Sequence, residues 1–79
     1  MEQKERFYDL VAETFAVGKD EIKDESTPDD IGNWTSITHM ELIAKFDQEF
    51  NVNLDVDEVT EMSSIAKMKD VLTRHGVKI

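Results

Sequence analysis

The stretch Trp34-Thr35-Ser36-Ile37-Thr38-His39-Met40-Glu41-Leu42-Ile43 marks the point where an irregular connection becomes an amphipathic helix. Its side chains can be plotted at about 100° per residue, the rotation of an α-helix. One arc of that plot is apolar and comprises His39, Leu42, Ile43, Phe46 and Phe50. We therefore predict a helix from about Ser36 to Phe50 that packs this arc on the protein core.

A second apolar arc lies on the same predicted helix, centred well over ~90° from the first. It comprises Ile37, Met40 and Ala44, interleaved with Glu41, Asp47 and Gln48. A helix that is apolar on two arcs either lies deep in its bundle or presents one arc to a partner. Because the chain is short and highly charged, we favour a partner surface.

The serine at the start of this helix has two interpretations. A serine in the first turn commonly caps free backbone amides, which would give Ser36 a purely structural role. Thr35 is an alternative cap, and Thr38 with Glu41 also fits the capping spacing. The register alone leaves these choices open.

The preceding part of the chain predicts one helix and a long connection. An apolar stripe at helical spacing indicates a first helix over about residues 2–16, and it comprises Phe7, Leu10, Val11 and Phe15. Gly18 is suited to end that helix as a left-handed cap. In the connection 19–35, Ile22 and Ile31 are expected to face the core, Thr27 to Asp30 to form a short turn, and Gly32 to adopt a backbone angle that other residues avoid.

Two further helices are predicted after residue 50. Asp55 and Glu58 have the spacing of a helix start, which indicates a short third helix over about residues 56–62. Its inner face is expected to comprise Val56, Val59 and Met62. Ser63 or Ser64 caps a fourth helix, whose stripe is Ile65, Met68, Val71 and Leu72, and Gly76 ends it. The fold class is therefore all-α.

Length and composition limit the possible functions. Seventy-nine residues allow one domain, 1–79, and the absence of cysteine excludes a disulfide framework. Eighteen acidic against nine basic residues give a formal charge of −9, which repels nucleic acid and anionic membranes and favours basic protein surfaces. We find no apolar run long enough for a membrane span and no signal-peptide pattern, so we expect a cytoplasmic protein.

The motif and its surroundings resemble the acyl carrier protein family. The resemblance covers nearly the whole chain, and its specific part is the serine motif at Ser36. The flanking Asp30-Ile31-Gly32 and the downstream Phe46-Asp47-Gln48-Glu49-Phe50 support it. It implies an acyl-carrier-like four-helix bundle with three longer helices, a short third helix and a long connection between the first two. It also implies a carrier, not an enzyme, and a monomer.

The same resemblance implies the chemistry of the site. Ser36 would receive 4'-phosphopantetheine from coenzyme A through a phosphopantetheinyl transferase, and the thiol of that arm would carry acyl or aminoacyl thioesters in fatty acid or specialised metabolite biosynthesis. Acyl-activating and acyl-transferring enzymes would dock basic residues on the second helix. The matching positions are Glu41, Asp47 and Glu49, with Ile37, Met40 and Ala44 as the apolar part.

Three features depart from the family pattern. Thr35 replaces the aspartate before the serine, which removes a charged contact and could make modification slow or selective. Ile37 replaces leucine, a mild change of shape. The segment Asn33 to Thr35 is one residue longer than in carriers of fatty acid synthesis, and it resembles free-standing carriers that work with a dedicated activating enzyme. Trp34 is expected either to cover the end of the bundle or to contact cargo.

Other functions fit the sequence less well. Alternating oxygen-bearing residues from Asn51 to Asp57 suggest a calcium loop, but Val56 replaces the required glycine and Met62 the bidentate glutamate. No serine, acid and histidine spacing indicates a catalytic triad. The remaining alternative is an unmodified acidic helical interaction module related to carriers.

Overall fold

The computed structural model of the chain describes residues 2–79. These residues form four α-helices: α1 (Gln3–Phe15), α2 (Ser36–Phe50), α3 (Val56–Glu61) and α4 (Ile65–Arg74). A single 3₁₀ turn, Lys19–Glu21, lies in the connection between α1 and α2. The predicted all-α fold, with three longer helices and a short third one, is confirmed.

One continuous core lies between the helices and the connection. Both predicted stripes are buried, that of α1 (Phe7, Leu10, Val11, Phe15) and that of α4 (Ile65, Met68, Val71, Leu72). From α2 the core receives Leu42, Ile43, Phe46 and Phe50, as the first arc predicted. The rings of Phe7 and Phe46 stack with centroids 5.5 Å apart, which joins α1 to α2.

The connection is part of the fold. Ile22 and Ile31 are buried as expected, and the Thr27 amide donates to Asp30 at 3.0 Å within the predicted turn. Its backbone also covers the start of α4, because the carbonyls of Ser26 and Asp24 accept from the first amides of that helix. An ion pair between Lys69 and Asp24 at 2.6 Å adds a second link between the connection and α4.

Two glycine predictions were wrong. The left-handed residue after α1 is Ala16, with φ 55°, whereas Gly18 has an ordinary extended φ of −74°. The earlier reversal places Val17 against the core, and burial of that side chain compensates for the unfavourable angle of Ala16. Gly32 does not adopt a positive φ either; Gly76, which follows α4, does, with φ 89° as predicted.

The third helix also differs from its predicted orientation. Val56 was expected on the inner face, but its side chain is 81% exposed. Asp55 caps α3, and its carboxylate accepts from the Glu58 amide at 2.8 Å. Val56 therefore occupies the first helical position, where it points away from the bundle, and α3 contributes Val59 in part while its C-cap Met62 is buried.

Candidate functional site

Thr35, not Ser36, caps α2. The Thr35 hydroxyl accepts from the Thr38 amide at 3.2 Å, and the Thr38 hydroxyl accepts from the Thr35 amide at 2.8 Å. This reciprocal pair satisfies the donors that a serine cap would otherwise serve. Ser36 is the first helical residue, and its side chain is exposed. Among residues 2–79 its hydroxyl has no hydrogen-bond partner, which leaves it available for chemistry.

The loop before the serine is held by several hydrogen bonds. The Asn33 side-chain amide donates to the Phe15 carbonyl at the end of α1, at 3.3 Å. The Asn33 carbonyl in turn accepts from the Thr38 hydroxyl at 2.6 Å. Asn33 thereby joins the end of α1 to the first turn of α2, which fixes the position of Ser36 relative to α1.

Trp34 covers the end of the bundle and is only 6% exposed. Its ring stacks on Phe15 with centroids 5.0 Å apart, and the His39 ring lies nearly parallel to it with centroids 6.1 Å apart. The indole N–H donates to Nδ1 of His39 at 3.0 Å. Of the two roles expected for Trp34, the structure supports the covering one, since the side chain is largely used in packing.

His39 connects this loop to the third helix. Its Nε2 lies 2.9 Å from the Val59 carbonyl oxygen in α3. Since an indole N–H can only donate and a carbonyl can only accept, these two contacts fit the imidazole tautomer that carries its proton on Nε2. The sequence placed His39 at the edge of the core, but its partner 20 positions further along the chain could not be inferred from periodicity.

Ser36 opens onto a cleft between α2 and α3 of about 380 Å³. Its walls are formed by residues of the turn before Ile31, the serine loop, α2 and α3, with Pro28, Trp34, His39, Met40, Val59 and Met62 among them. Most of the lining residues are apolar, and Thr35 and Thr60 are among the polar ones. A flexible group attached to Ser36 could therefore lie along a mostly apolar surface.

The second arc of α2 faces away from the core. Ile37 and Met40 are 70% and 55% exposed, and Ala44 and Glu41 are also exposed. A neighbouring groove of about 430 Å³ between α2 and α3 joins this arc to helix three, and it is lined in part by Met40, Ala44, Asp47 and Val56. Local periodicity missed Val56 as a member of this surface, although its position directly after the cap Asp55 was a usable signal.

The three acids predicted for docking lie in different surroundings. Glu41 is exposed, whereas Asp47 is half-buried and its Oδ1 accepts from the Leu54 amide at 3.2 Å. Glu49 lies on the α1 side of the helix, where it pairs with Arg6 at 2.9 Å. The hydrogen bond from Arg6 holds the pKa of the Glu49 carboxyl below its usual value. The structure therefore brings Asp47 to the groove and places Glu49 apart from it.

Metal binding finds no support in the part of the chain that is described. Between residues 2 and 79, no group of three or more histidine, cysteine or acidic side chains is arranged to hold an ion. In the segment considered as a calcium loop, Asn51 ends α2 in a left-handed conformation and Asp55 caps α3. None of the helices described combines the length and apolar character needed to cross a bilayer.

Known proteins resemble this chain over most of its length. Residues 5–72 match the family model described as "Phosphopantetheine attachment site". The chain is 32% identical over 72 residues to an acyl carrier protein of Chlorobium phaeobacteroides, covering 90% of this chain and 91% of the relative. It is 30% identical over 74 residues to one of Chlorobium phaeovibrioides, covering 92% and 94%, and 32% identical over 65 residues to one of Chloroherpeton thalassium, covering 81% and 80%.

The chain belongs to the acyl carrier protein family. Proteins of this family are carriers, not catalysts, and their cofactor is covalently attached 4'-phosphopantetheine. The residues present fit that group, because an exposed serine with an uncommitted hydroxyl stands at the first position of α2. A phosphodiester at that position would lie at the positive end of the helix dipole.

Proposed function

We propose that Ser36 is the attachment point of 4'-phosphopantetheine in this chain. The observation that supports the proposal is the division of roles in the first turn of α2. Thr35 and Thr38 satisfy the helix end, and the Ser36 hydroxyl is left exposed. The structural explanation for a serine at this place, that it caps the helix, is thereby removed.

The chain holds the site in place but does not activate it. No charged side chain lines the cleft on which Ser36 opens, and its one ionisable side chain, His39, is engaged at both ring nitrogens. The serine therefore depends on a phosphopantetheinyl transferase for the base that removes its proton. When attached, the arm supplies a terminal thiol that carries acyl or aminoacyl groups as thioesters. The role of this chain is to present that arm to acyl-activating and acyl-transferring enzymes.

We infer that these partners dock on the second arc of α2 and on the adjacent groove. The apolar part of the surface is Ile37, Met40 and Ala44, and Glu41 with Asp47 supplies negative charge. Charge complementarity with basic partners would favour fast and reversible encounters, as a shuttle requires. Glu49 would contribute at the edge of such an interface, and only to a partner that competes with Arg6.

The expected oligomeric state and cellular location of the chain belong to the same proposal. We infer that the chain is a monomer, which leaves its docking surface free for one enzyme after another, and its charge of −9 favours solubility. We therefore propose that the domain 1–79 is monomeric and works in the cytoplasm.

Intact-mass measurement tests the attachment site. The protein is incubated with coenzyme A and a broad-specificity transferase beside Ser36→Ala and Ser63→Ala. Ser63 is a matched control because it is also exposed, just before the cap Ser64 of α4. We expect one added phosphopantetheine on the unaltered protein and on Ser63→Ala, and none on Ser36→Ala. Absence of the added mass with several transferases would instead indicate an unmodified interaction module.

A further inference from the structure

Both histidines of the chain contact the third helix. His39 on α2 bonds through Nε2 to the Val59 carbonyl, and His75 after α4 bonds through Nε2 to the Glu58 carboxylate at 2.7 Å. Helix α3 has six residues and none of them is fully buried. Because apolar burial holds this helix only weakly, its polar contacts have an unusually large share in fixing its position.

A proton would strengthen the bond of each histidine to α3, but at His39 it would also remove the contact with Trp34. His75 faces a carboxylate, so protonation adds charge to an existing hydrogen bond and strengthens it. His39 accepts the Trp34 indole N–H at Nδ1, and protonation would place a second N–H at that atom. Two donors cannot face each other at 3.0 Å, so the Trp34 contact must break. Histidine is also the side chain whose charge ordinarily changes between about pH 5 and 8.

His39 is the single ionisable side chain among the residues that line the cleft of Ser36. The charged groups on the elements around it have other partners or project outward. On α3, Glu58 bonds His75 and Glu61 bonds Arg74 of the fourth helix. On α2, Glu41 is exposed, Asp47 bonds the Leu54 amide and Glu49 pairs with Arg6. Asp57 on α3 and Asp29 in the connection are exposed, and the neighbouring Asp30 bonds Thr27. A proton on Nδ1 would therefore gain no carboxylate partner in place of the lost indole.

We propose that His39 is a pH-responsive positioning residue that sets the opening of the cleft beside Ser36. The neutral ring links the serine loop, α2 and α3 through Trp34 and the Val59 carbonyl. On acidification the proton binds Nδ1 and the indole bond breaks, so the serine loop loosens from α2, while the Nε2–H bond to the Val59 carbonyl and the His75 bond to Glu58 still hold α3. The proposal concerns the unmodified chain and does not depend on what is attached to Ser36.

Nuclear magnetic resonance measures this directly, because Trp34 is the one tryptophan in the sequence. The indole Nε1–H signal of the ¹⁵N-labelled full chain is followed from pH 8 to pH 5. We expect one titration that shifts this signal and at least doubles its exchange rate with water, relative to the base-catalysed rate expected at each pH. The Val59 and Thr60 amides should shift with the same midpoint.

Two variants identify the group responsible. His75→Gln removes the second histidine and should leave the Trp34 titration in place. His39→Gln retains an amide that can accept and donate but cannot titrate, and it should abolish the pH dependence. A Trp34 signal constant from pH 8 to 5 in the unaltered protein would overturn the proposal, whether or not the variants fold. So would a titration that persists in folded His39→Gln or disappears in His75→Gln. A chain that never accepts the arm would leave this result unchanged.

Discussion

The hydroxyl of Thr35 accepts from the amide of Thr38, while the hydroxyl of Thr38 accepts from the amide of Thr35. This exchange makes the threonine before the serine a functional helix cap, even though it replaces the aspartate of the family pattern. What the substitution removes is a negative charge beside Ser36, not the start of α2. Threonine at this position should therefore affect recognition by other proteins more than it affects the stability of the fold.

Thr35→Ala and Ser36→Ala should separate stability from modification. Thr35→Ala removes the cap and should lower the free energy of unfolding by about 1 kcal/mol, while Ser36 still accepts the arm. Ser36→Ala should stay within about 0.5 kcal/mol of the unaltered protein, because its hydroxyl bonds no described residue. Urea unfolding followed by Trp34 fluorescence measures both. A loss of about 1 kcal/mol in Ser36→Ala would return the capping role to the serine.

Thr35→Asp restores the charge that is typical of the family. An aspartate can cap α2 as well as threonine does, so stability should change little. If the missing charge slows modification, the kcat/KM of a transferase with basic docking residues should rise, by up to about tenfold at low salt. Thr35→Asn is the matched control, since it offers the same acceptor without charge. Equal kinetics for the two variants would show that charge at this position is unimportant.

Removing charge from the proposed docking surface should slow partner transfer without unfolding the chain. Asp47→Asn is preferable to charge reversal, because the asparagine Oδ1 can still accept from the Leu54 amide. Combined with Glu41→Gln, it should lower kcat/KM about tenfold at low salt and weaken the salt dependence. Asp29→Asn with Glu25→Gln removes two charges from the connection and serves as control. If both pairs of substitutions lower kcat/KM equally, the net charge of the chain, and not a local docking surface, determines partner transfer.

The sequence predicted those parts of the fold that depend on local pattern. Helical periodicity found both buried stripes and the bounds of α2, because apolar side chains at that spacing must share one face. It failed where distant packing decides: Val17 on the core makes Ala16 the left-handed residue, and the Asp55 cap turns Val56 outward. At the site, Ser36 followed from resemblance. The link from Trp34 through His39 to α3 joins distant residues, so no local pattern could predict it.

Ala16→Gly should stabilise the protein. Ala16 has φ 55° after α1, a conformation that costs a side-chain-bearing residue about 1 kcal/mol or more. Glycine adopts it freely, so after its larger loss of chain entropy we expect a net gain of about 0.5 kcal/mol. Ala12→Gly lies within α1 and should instead lose about 1 kcal/mol. Thermal unfolding distinguishes the two, and a destabilised Ala16→Gly would contradict the left-handed cap.

Glu58→Gln should alter how stability depends on pH. The Asp55 amide and then His75 hold the pKa of the Glu58 carboxyl below its usual value near 4.5. A carboxyl with a lowered pKa in the folded state stabilises the protein above its unfolded pKa, and this contribution disappears as the pH falls through the folded value. Glutamine keeps the acceptor for the Asp55 amide but not the charge. The variant should therefore be less stable than the unaltered protein at pH 7 and equal to it once the pH is well below 4.5.

Urea unfolding at pH 7, 5 and 3 tests this prediction for Glu58→Gln, with the exposed Glu25→Gln as control. A difference that persists at the lowest pH would indicate that Glu58 acts through packing instead of charge.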